Sequence, residues 1–427
     1  MKRLSVAKVL ACSVLVLGVE SAFAAERTVC FSMKFADDRS DCPTSSVSGA
    51  LRPCTSNRTD MVGQYIEAWD KDSGDGSGDE EIGTWYLSNG GVQCITFEWE
   101  NASYSKGEAH PDVYLKWINK ARKSSGTSVI VEATKHDGSA HSVTSWRNGS
   151  SSNSDAYVAQ NCTAGSTCYI VQNGWLAPTT DVSTQRAKRI MALDSVQHAL
   201  QVYGGIMDHN VKMRYPCDPN GCGSSRALSQ TVFDIDDDSS VTSGKVAPHE
   251  FGHVLQMQLF NQDNLRDDCS RNGSGHSLTS IEYESCATTE GWADYVGVVS
   301  WYSPSNSSSV PYGWGYNFEN ATPAKSSCSD SAHTELQVAK AFWDLDDANN
   351  EGDVSPASGD DAKNSSTTFI ANGWDEFPNG TGNGDDYESG SDGVNAKDYY
   401  RNNDSRFSGA FEETFIDHNC LGAQTDT

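Results

Sequence analysis

Val246-Ala-Pro-His249-Glu250-Phe-Gly-His253-Val-Leu-Gln-Met-Gln258 is the stretch on which the reading of this chain turns. His249 and His253 are four apart, so on a helix both imidazoles lie on one face, a turn apart, where they can grip a single ion. Glu250 projects from the edge of that face, placed to take a proton from a water on the ion. Neutral imidazole in a four-coordinate open site points to zinc. With 10 His in 427 residues, only about 0.2 pairs at this spacing are expected by chance, before a Glu is required between them. Val254, Leu255 and Met257 predict a helix packed in a core, with Pro248 in its first turn. Gly252 inside a helix costs about 1 kcal/mol relative to Ala, which close approach of another backbone would explain. The competing reading is a core helix whose two histidines are merely hydrogen-bonded.

A third ligand decides the class. Gly and His three and six residues beyond His253 would mark one group of zinc enzymes; Gln256 and Leu259 stand there instead. Downstream lies Thr288-Thr-Glu290-Gly-Trp-Ala-Asp294-Tyr295-Val-Gly-Val-Val299. It reads as a second buried helix on which Glu290 and Asp294 share a face. Glu290 as ligand and Asp294 as the carboxylate orienting a ligating His is the economical assignment, because zinc-bound imidazoles donate their other N–H to such a group. Trp292, Tyr295, Val296, Val298 and Val299 argue against the alternative of two solvated surface charges.

His-Glu-Phe-Gly-His followed by Glu-Gly-Trp-Ala-Asp resembles the gluzincin superfamily, the thermolysin-like clan of zinc metallopeptidases. The likeness rests on His249, Glu250, His253, Glu290 and Asp294 and extends loosely over residues 185–345. It implies a secreted zinc endopeptidase of the bacterial type. Its metal is held by His249, His253 and Glu290, its base is Glu250, and Asp294 fixes the tautomer of His249. It also implies a sheet edge beside the zinc helix for extended substrate, here near Thr231–Ile235, where an ordinary strand is the equal alternative. A later Tyr or His would steady the oxyanion, with His333, Tyr283, Tyr312 and Tyr316 as candidates.

Working outward, Met1–Ala24 reads as a secretory signal. Lys2, Arg3 and Lys8 precede the apolar run Val9–Val19, and Ala22-Phe23-Ala24 is a cleavage site. The run is too short to span a bilayer, so a secreted protein, extracellular or periplasmic, is expected. The formal net charge is −27, which argues against nucleic acid or an anionic membrane as partner; a protein or peptide substrate is the partner expected. Twelve of the 13 Cys follow the signal, an even number suited to disulfides in an exported chain. Cys217–Cys222, Cys162–Cys168 and Cys269–Cys286 are plausible local pairs, and Cys420 is a pin for the tail. No C-x-x-C pair offers an alternative zinc site.

The expected fold class is α+β. A β-sandwich-like module over residues 25–150 precedes a peptidase domain, 156–427, with a mixed sheet and a helical active-site core; residues 147–155 are the linker. Gln64–Trp69, Thr84–Leu87 and Cys94–Trp99 read as strands between Gly, Asn and Ser turns, with more β at Ser128–Glu132 and Ser142–Trp146. Asp70, Asp72, Asp75 and Asp79 are candidate calcium donors, although Asp75 stands where an EF-hand needs Gly; a solvated turn is the plainer reading. Ala187–Tyr203 is a helix ended by Gly204-Gly205, with His198 structural on it. Val211–Tyr215 and Gln230–Ile235 are strands, and Thr334–Asp347 is a helix. Acidic residues 349–405 read as surface loops with a short strand at Thr368–Ala371, and Phe407–Ile416 as a closing helix. Two further functions stay open: a narrow-specificity peptidase of glycoproteins, and a non-catalytic extracellular protein with a closed structural zinc.

Overall fold

The computed structural model describes residues 25–39, 43, 51, 59–71, 79–88, 90–99, 110–123, 129–141, 144–145, 159, 162–170, 176, 183–218, 221–236, 242–263, 269, 276–304, 310, 317–318, 325–347, 365–376, 394–407, 415–416 and 419–423. The first strands are β1 (Ala25–Ser32), β2 (Lys34–Phe35), β3 (Thr59–Asp60), β4 (Gln64–Asp70), β5 (Glu80–Tyr86) and β6 (Val92–Trp99). They are followed by β7 (Val113–Arg122), β8 (Ile130–Thr134), β9 (Thr144–Ser145) and β10 (Thr167–Tyr169), then by β11 (Val211–Arg214), β12 (Arg226–Ser229) and β13 (Val232–Asp234). The helices are α1 (Gln185–Tyr203), α2 (Val246–Phe260), α3 (Glu284–Val299), α4 (Cys328–Ser331), α5 (Glu335–Asp346), α6 (Thr367–Ala371) and α7 (Ala396–Asn403). The fold is thus mixed α and β.

Period-two burial makes the strands. In β4, Gln64, Ile66, Ala68 and Asp70 point inward and the residues between are half-buried, the signature of a sheet covered on one face. One sheet runs β12-β13-β11-β8-β7-β4-β5, with β9 also on β7. β11 lies parallel to both β8 and β13, and the other pairs along the row are antiparallel. The sheet is therefore mixed, and it runs without a break across the boundary expected at 147–155. Val211 to Arg214 pair with Val131 to Thr134, so strands from both expected parts share one hydrogen-bonded ladder. A second sheet, β10-β1-β6, is stapled by Cys30–Cys94 between β1 and β6.

Helix α1 lies on β7 and β8. It is buried nearly all round, from Ala187 to Tyr203, as a helix between a sheet and further helices must be. Behind it α2 packs on α1, β12 and β13; α3 packs on α2; and α5 packs on α3. Apolar contact is continuous from Ile66 and Trp117 in the sheet to Trp343 in α5. The site therefore sits on helices held by one core.

Two readings of the later chain change. Thr367–Ala371 is a helix rather than a strand: the Ser366 hydroxyl accepts from Phe369 N and starts it. Within the stretch read as loops, α7 opens on a capping box in which Asn395 and Asp398 satisfy each other's backbone N–H. The closing helix expected at Phe407–Ile416 and the 147–155 linker lie mostly or wholly outside the described residues, as does the signal segment. Cys217–Cys222, Cys269–Cys286 and Cys328–Cys420 are bonded. Cys162 and Cys168 carry free thiols, which corrects the pair expected there.

Asp346, at the end of α5, is buried and accepts hydroxyl protons from Tyr295 and Thr367, both at 2.6 Å. Burial outweighs both hydrogen bonds and raises its carboxyl from 3.8 to about 6. A raised folded-state pKa means that the native chain keeps a proton that the unfolded chain has released. The associated stability is present below about pH 4 and is lost as pH rises through 6. The difference is on the order of 3 kcal/mol. Asp346→Asn, which can still accept both hydroxyls, is expected to remove that dependence and to be the more stable chain at pH 7. Urea midpoints for both chains at pH 4 and pH 7 measure it; equal pH dependence in the two refutes the assignment.

Candidate metal centre

Helix α2 carries the first two candidate ligands. It starts without a side-chain cap at Lys245, has Pro248 in its first turn, and ends where Asn261 turns left-handed at φ 54°. Phe251, Val254 and Leu255 are fully buried, so the helix is held by packing rather than by its caps. Helix α3 crosses it at Gly252. A Cβ there would lie 2.9 Å from Ala293 Cα and 3.0 Å from Val296 Cβ, so the close backbone approach expected of Gly252 is present. The Trp292 indole donates to Gly252 O at 3.1 Å, which ties the two helices at the crossing.

That crossing brings the three side chains together. Glu290 Oε2 lies 3.1 Å from His249 Nε2 and 3.1 Å from His253 Nε2. The two rings stand edge-to-face with centroids 4.9 Å apart. Asp294 Oδ1 is 2.8 Å from His249 Nδ1; with the carboxylate accepting, Nδ1 carries a proton, so in the neutral form of the ring the lone pair is on Nε2, on the side of Glu290. Burial works against a charge on His249. The hydrogen bond and charge of Asp294, reinforced by Glu250 and Glu335, outweigh it and raise the imidazole from 6.5 to about 9. Such surroundings favour positive charge at this point. Two imidazole nitrogens and a carboxylate oxygen are a donor set that fits zinc, and donors about 3 Å apart are what bonds of about 2.0–2.1 Å require. Glu250 is buried beside them on α2.

Two neighbours were not singled out in the sequence. His276 Nδ1 is 2.6 Å from Glu335 Oε1, and its Nε2 is 3.9 Å from Glu290 Oε1. Backbone bonds from Leu336 N to Leu278 O and from Glu282 N to His333 O join this loop to the start of α5. Gly291 lets α5 approach: a Cβ there would sit 2.7 Å from Glu335 O. His276 lies in Gly-Ser-Gly-His-Ser, a stretch without periodicity. The only hint in the sequence is the Cys269–Cys286 bracket around it, which ends on α3 four residues before Glu290.

The other sequence candidates fall elsewhere. His333 pairs with Glu284, Nε2 to Oε1 at 3.6 Å. Tyr283 caps α3 and is exposed. Tyr312 and Tyr316 lie outside the described residues. The strand near Thr231–Ile235 is not the sheet edge, because β12 pairs along it and takes the end of the row. Of the calcium candidates, Asp70 accepts from Asp112 N at 2.7 Å and Asp79 from the Tyr114 hydroxyl at 2.5 Å; Asp72 and Asp75 lie outside the described residues. His198 packs on the Trp301 ring at 3.9 Å, a structural role as expected.

Residues 228–376, about a third of the chain, match the family described as Mycolysin C-terminal domain. The match takes in α2, α3 and α5 and supports a gluzincin-type peptidase relationship. No curated protein matches the chain, and no solved structure matches it. No helix among the described residues is long and apolar enough to cross a membrane.

Proposed function

We propose that this chain is a secreted zinc endopeptidase that holds its ion through His249, His253 and Glu290. The observation that carries this reading is the single carboxylate oxygen of Glu290, 3.1 Å from both imidazole nitrogens. The Mycolysin C-terminal domain match supports the peptidase class. Bound zinc would supply a Lewis acid and make a water more acidic. Glu250, buried on α2 beside the ligand set, would serve as the base that takes a proton from an attacking water and returns it to the leaving amine. Asp294 keeps the Nδ1 proton of His249 in place, so that Nε2 remains a donor to the ion. The substrate-pairing role moves from β13 to β12, the end strand packed beside α2, where an extended peptide can add to the row.

The test is zinc content and cleavage of an unfolded protein by the purified chain, wild type beside Glu290→Ala. The wild type is expected to hold zinc tightly and to cleave. Glu290→Ala is expected to lose the tight zinc and the cleavage together, because two imidazoles alone leave the ion under-coordinated. Tight stoichiometric zinc in Glu290→Ala would refute the ligand assignment. A wild type that binds no zinc and cleaves nothing would overturn the function.

A further inference from the structure

Strand β12 ends the row of the large sheet and packs along α2. The residue after it is fixed to the end of that helix. Gln258 Nε2 donates to Gln230 O at 2.7 Å, and Gln230 N donates to Asp263 Oδ1 at 2.9 Å. From this anchor back to Arg226 is four residues of strand, about 13–14 Å. From Gln258 back to His249 is nine residues of helix, also about 13–14 Å. Arg226 therefore lies on the end strand at the level of His249. Ala227 packs on the core, so Arg226, one residue before it, points to the other face. The ladder irregularity between Ala227 and Ser229 lies beyond Arg226, which keeps a regular position opposite Asp234.

The charges at this point do not balance. Asp234 is buried, and Arg214 holds both its oxygens, with Nε on Oδ1 at 2.5 Å and Nη2 on Oδ2 at 2.8 Å. The Arg226 Nε stands 3.6 Å from Oδ2, too far for a hydrogen bond. Two guanidiniums thus share one carboxylate that is already engaged by the first. Asp236, the next acid along, is buried and turned to the Cys217–Cys222 loop, where its Oδ1 accepts from Cys222 N at 3.1 Å. The Arg226 side chain is 57% exposed. In a chain of net charge −27, the end strand beside the metal centre therefore presents a local excess of positive charge. A guanidinium in that state keeps its paired N–H donors for an incoming carboxylate, which Arg binds bidentately.

We propose that Arg226 determines specificity by selecting an acidic side chain, Asp or Glu, in a peptide laid along β12. The proposal rests on the endopeptidase reading above, and on β12 as the strand to which substrate adds. On an added strand the residue directly opposite Arg226 has its Cβ about 4.5–5.5 Å from that of Arg226, within reach of the guanidinium. The residues on either side of it in the peptide point to the opposite face, so the preference falls on one position. Because Arg226 is level with His249, that position lies close to the scissile bond. The substrate carboxylate supplies the close partner that Asp234, held by Arg214, does not.

Quenched fluorescent peptides test this. Their parent sequence is one that the wild type cuts in an unfolded protein, and Glu, Gln or Lys is placed at each position around the cut in turn. The readout is kcat/KM for the full chain, with zinc content measured on every variant. The wild type is expected to favour Glu over Gln by about 2–5-fold at one position, and Gln over Lys by a similar factor, the range for charges directly opposite on neighbouring strands. Arg226→Gln is expected to flatten this preference, Arg226→Lys to keep its direction, and Arg226→Glu to put Lys first. In 1 M salt, where charges are screened within about 3 Å, the wild-type preference is expected to shrink; one set by shape would not. Equal cleavage of the Glu, Gln and Lys peptides by the wild type at every position overturns the role of Arg226 and leaves the peptidase reading standing. An unchanged preference in Arg226→Gln also overturns it. A wild type that cuts no unfolded protein overturns both.

Discussion

Glu250→Gln is expected to keep its tightly bound zinc and to lose about 10²–10⁴-fold of its peptide-bond cleavage, the range that a positioned general base contributes. Gln has the shape of Glu and still fills the buried place beside His249 on α2, but it cannot take a proton. Glu250 is not among the grouped donors His249, His253 and Glu290, so the ion is expected to stay. The loss should fall on kcat, with KM little changed, because the missing step belongs to the transition state. The measurement is steady-state cleavage together with zinc content on the same preparations. Undiminished kcat would remove Glu250 from the mechanism. Loss of zinc in this variant would make it a ligand instead.

Trp292→Ala is expected to be the most damaging single truncation for stability. The indole lies on α3 between Glu290 and Asp294 and is fully buried. Its ring meets Tyr203, Tyr295, Phe342 and Trp374 with centroids 5.2–6.3 Å away, so it joins α1, α3, α5 and the segment after α6. Its N–H satisfies Gly252 O at 3.1 Å. Truncating such a side chain costs about 3–5 kcal/mol, and the added hydrogen bond to Gly252 O is lost with it. Against a total stability of about 5–15 kcal/mol, the variant is expected to be marginal at 25 °C and to release metal as α2 and α3 part. Urea unfolding of the wild type and the variant gives the difference. A loss below 1 kcal/mol would mean that α2 and α3 are held together by other contacts.

Local patterns were legible. The helices at Gln185–Tyr203, Val246–Phe260 and Glu335–Asp346 follow from apolar spacing, while the caps Thr184 and Thr334 emerged with the structure. Gly252 could be read as a crossing point because an uncompensated helical glycine needs a reason. Errors came where a short segment takes its state from its neighbours. Thr-Thr-Phe-Ile-Ala at 367–371 has β-forming residues, yet Ser366 caps it and Ile370 and Ala371 pack inward as a helix. The start of α3 lies four residues ahead of the stretch recognised as helical, at Glu284 after the N-cap Tyr283.

By itself the sequence determined that two imidazoles share a helix face and that two carboxylates share another, since spacing of four along a helix is a local matter of 3.6 residues per turn. It also determined a strongly acidic chain, rich in cysteine, with β structure ahead of the helices. Only the tertiary structure decided which groups meet. β8 pairs with β11 across some 80 residues, so one sheet bridges what composition had divided. β12, not β13, takes the edge. His276 and Glu335 come to Glu290 from a loop and a helix start that have nothing in common along the chain. Such meetings depend on how α3 packs between α2 and α5, on the space that Gly252 and Gly291 leave, and on the shape of the shared core. None of these is a property of any short stretch of residues.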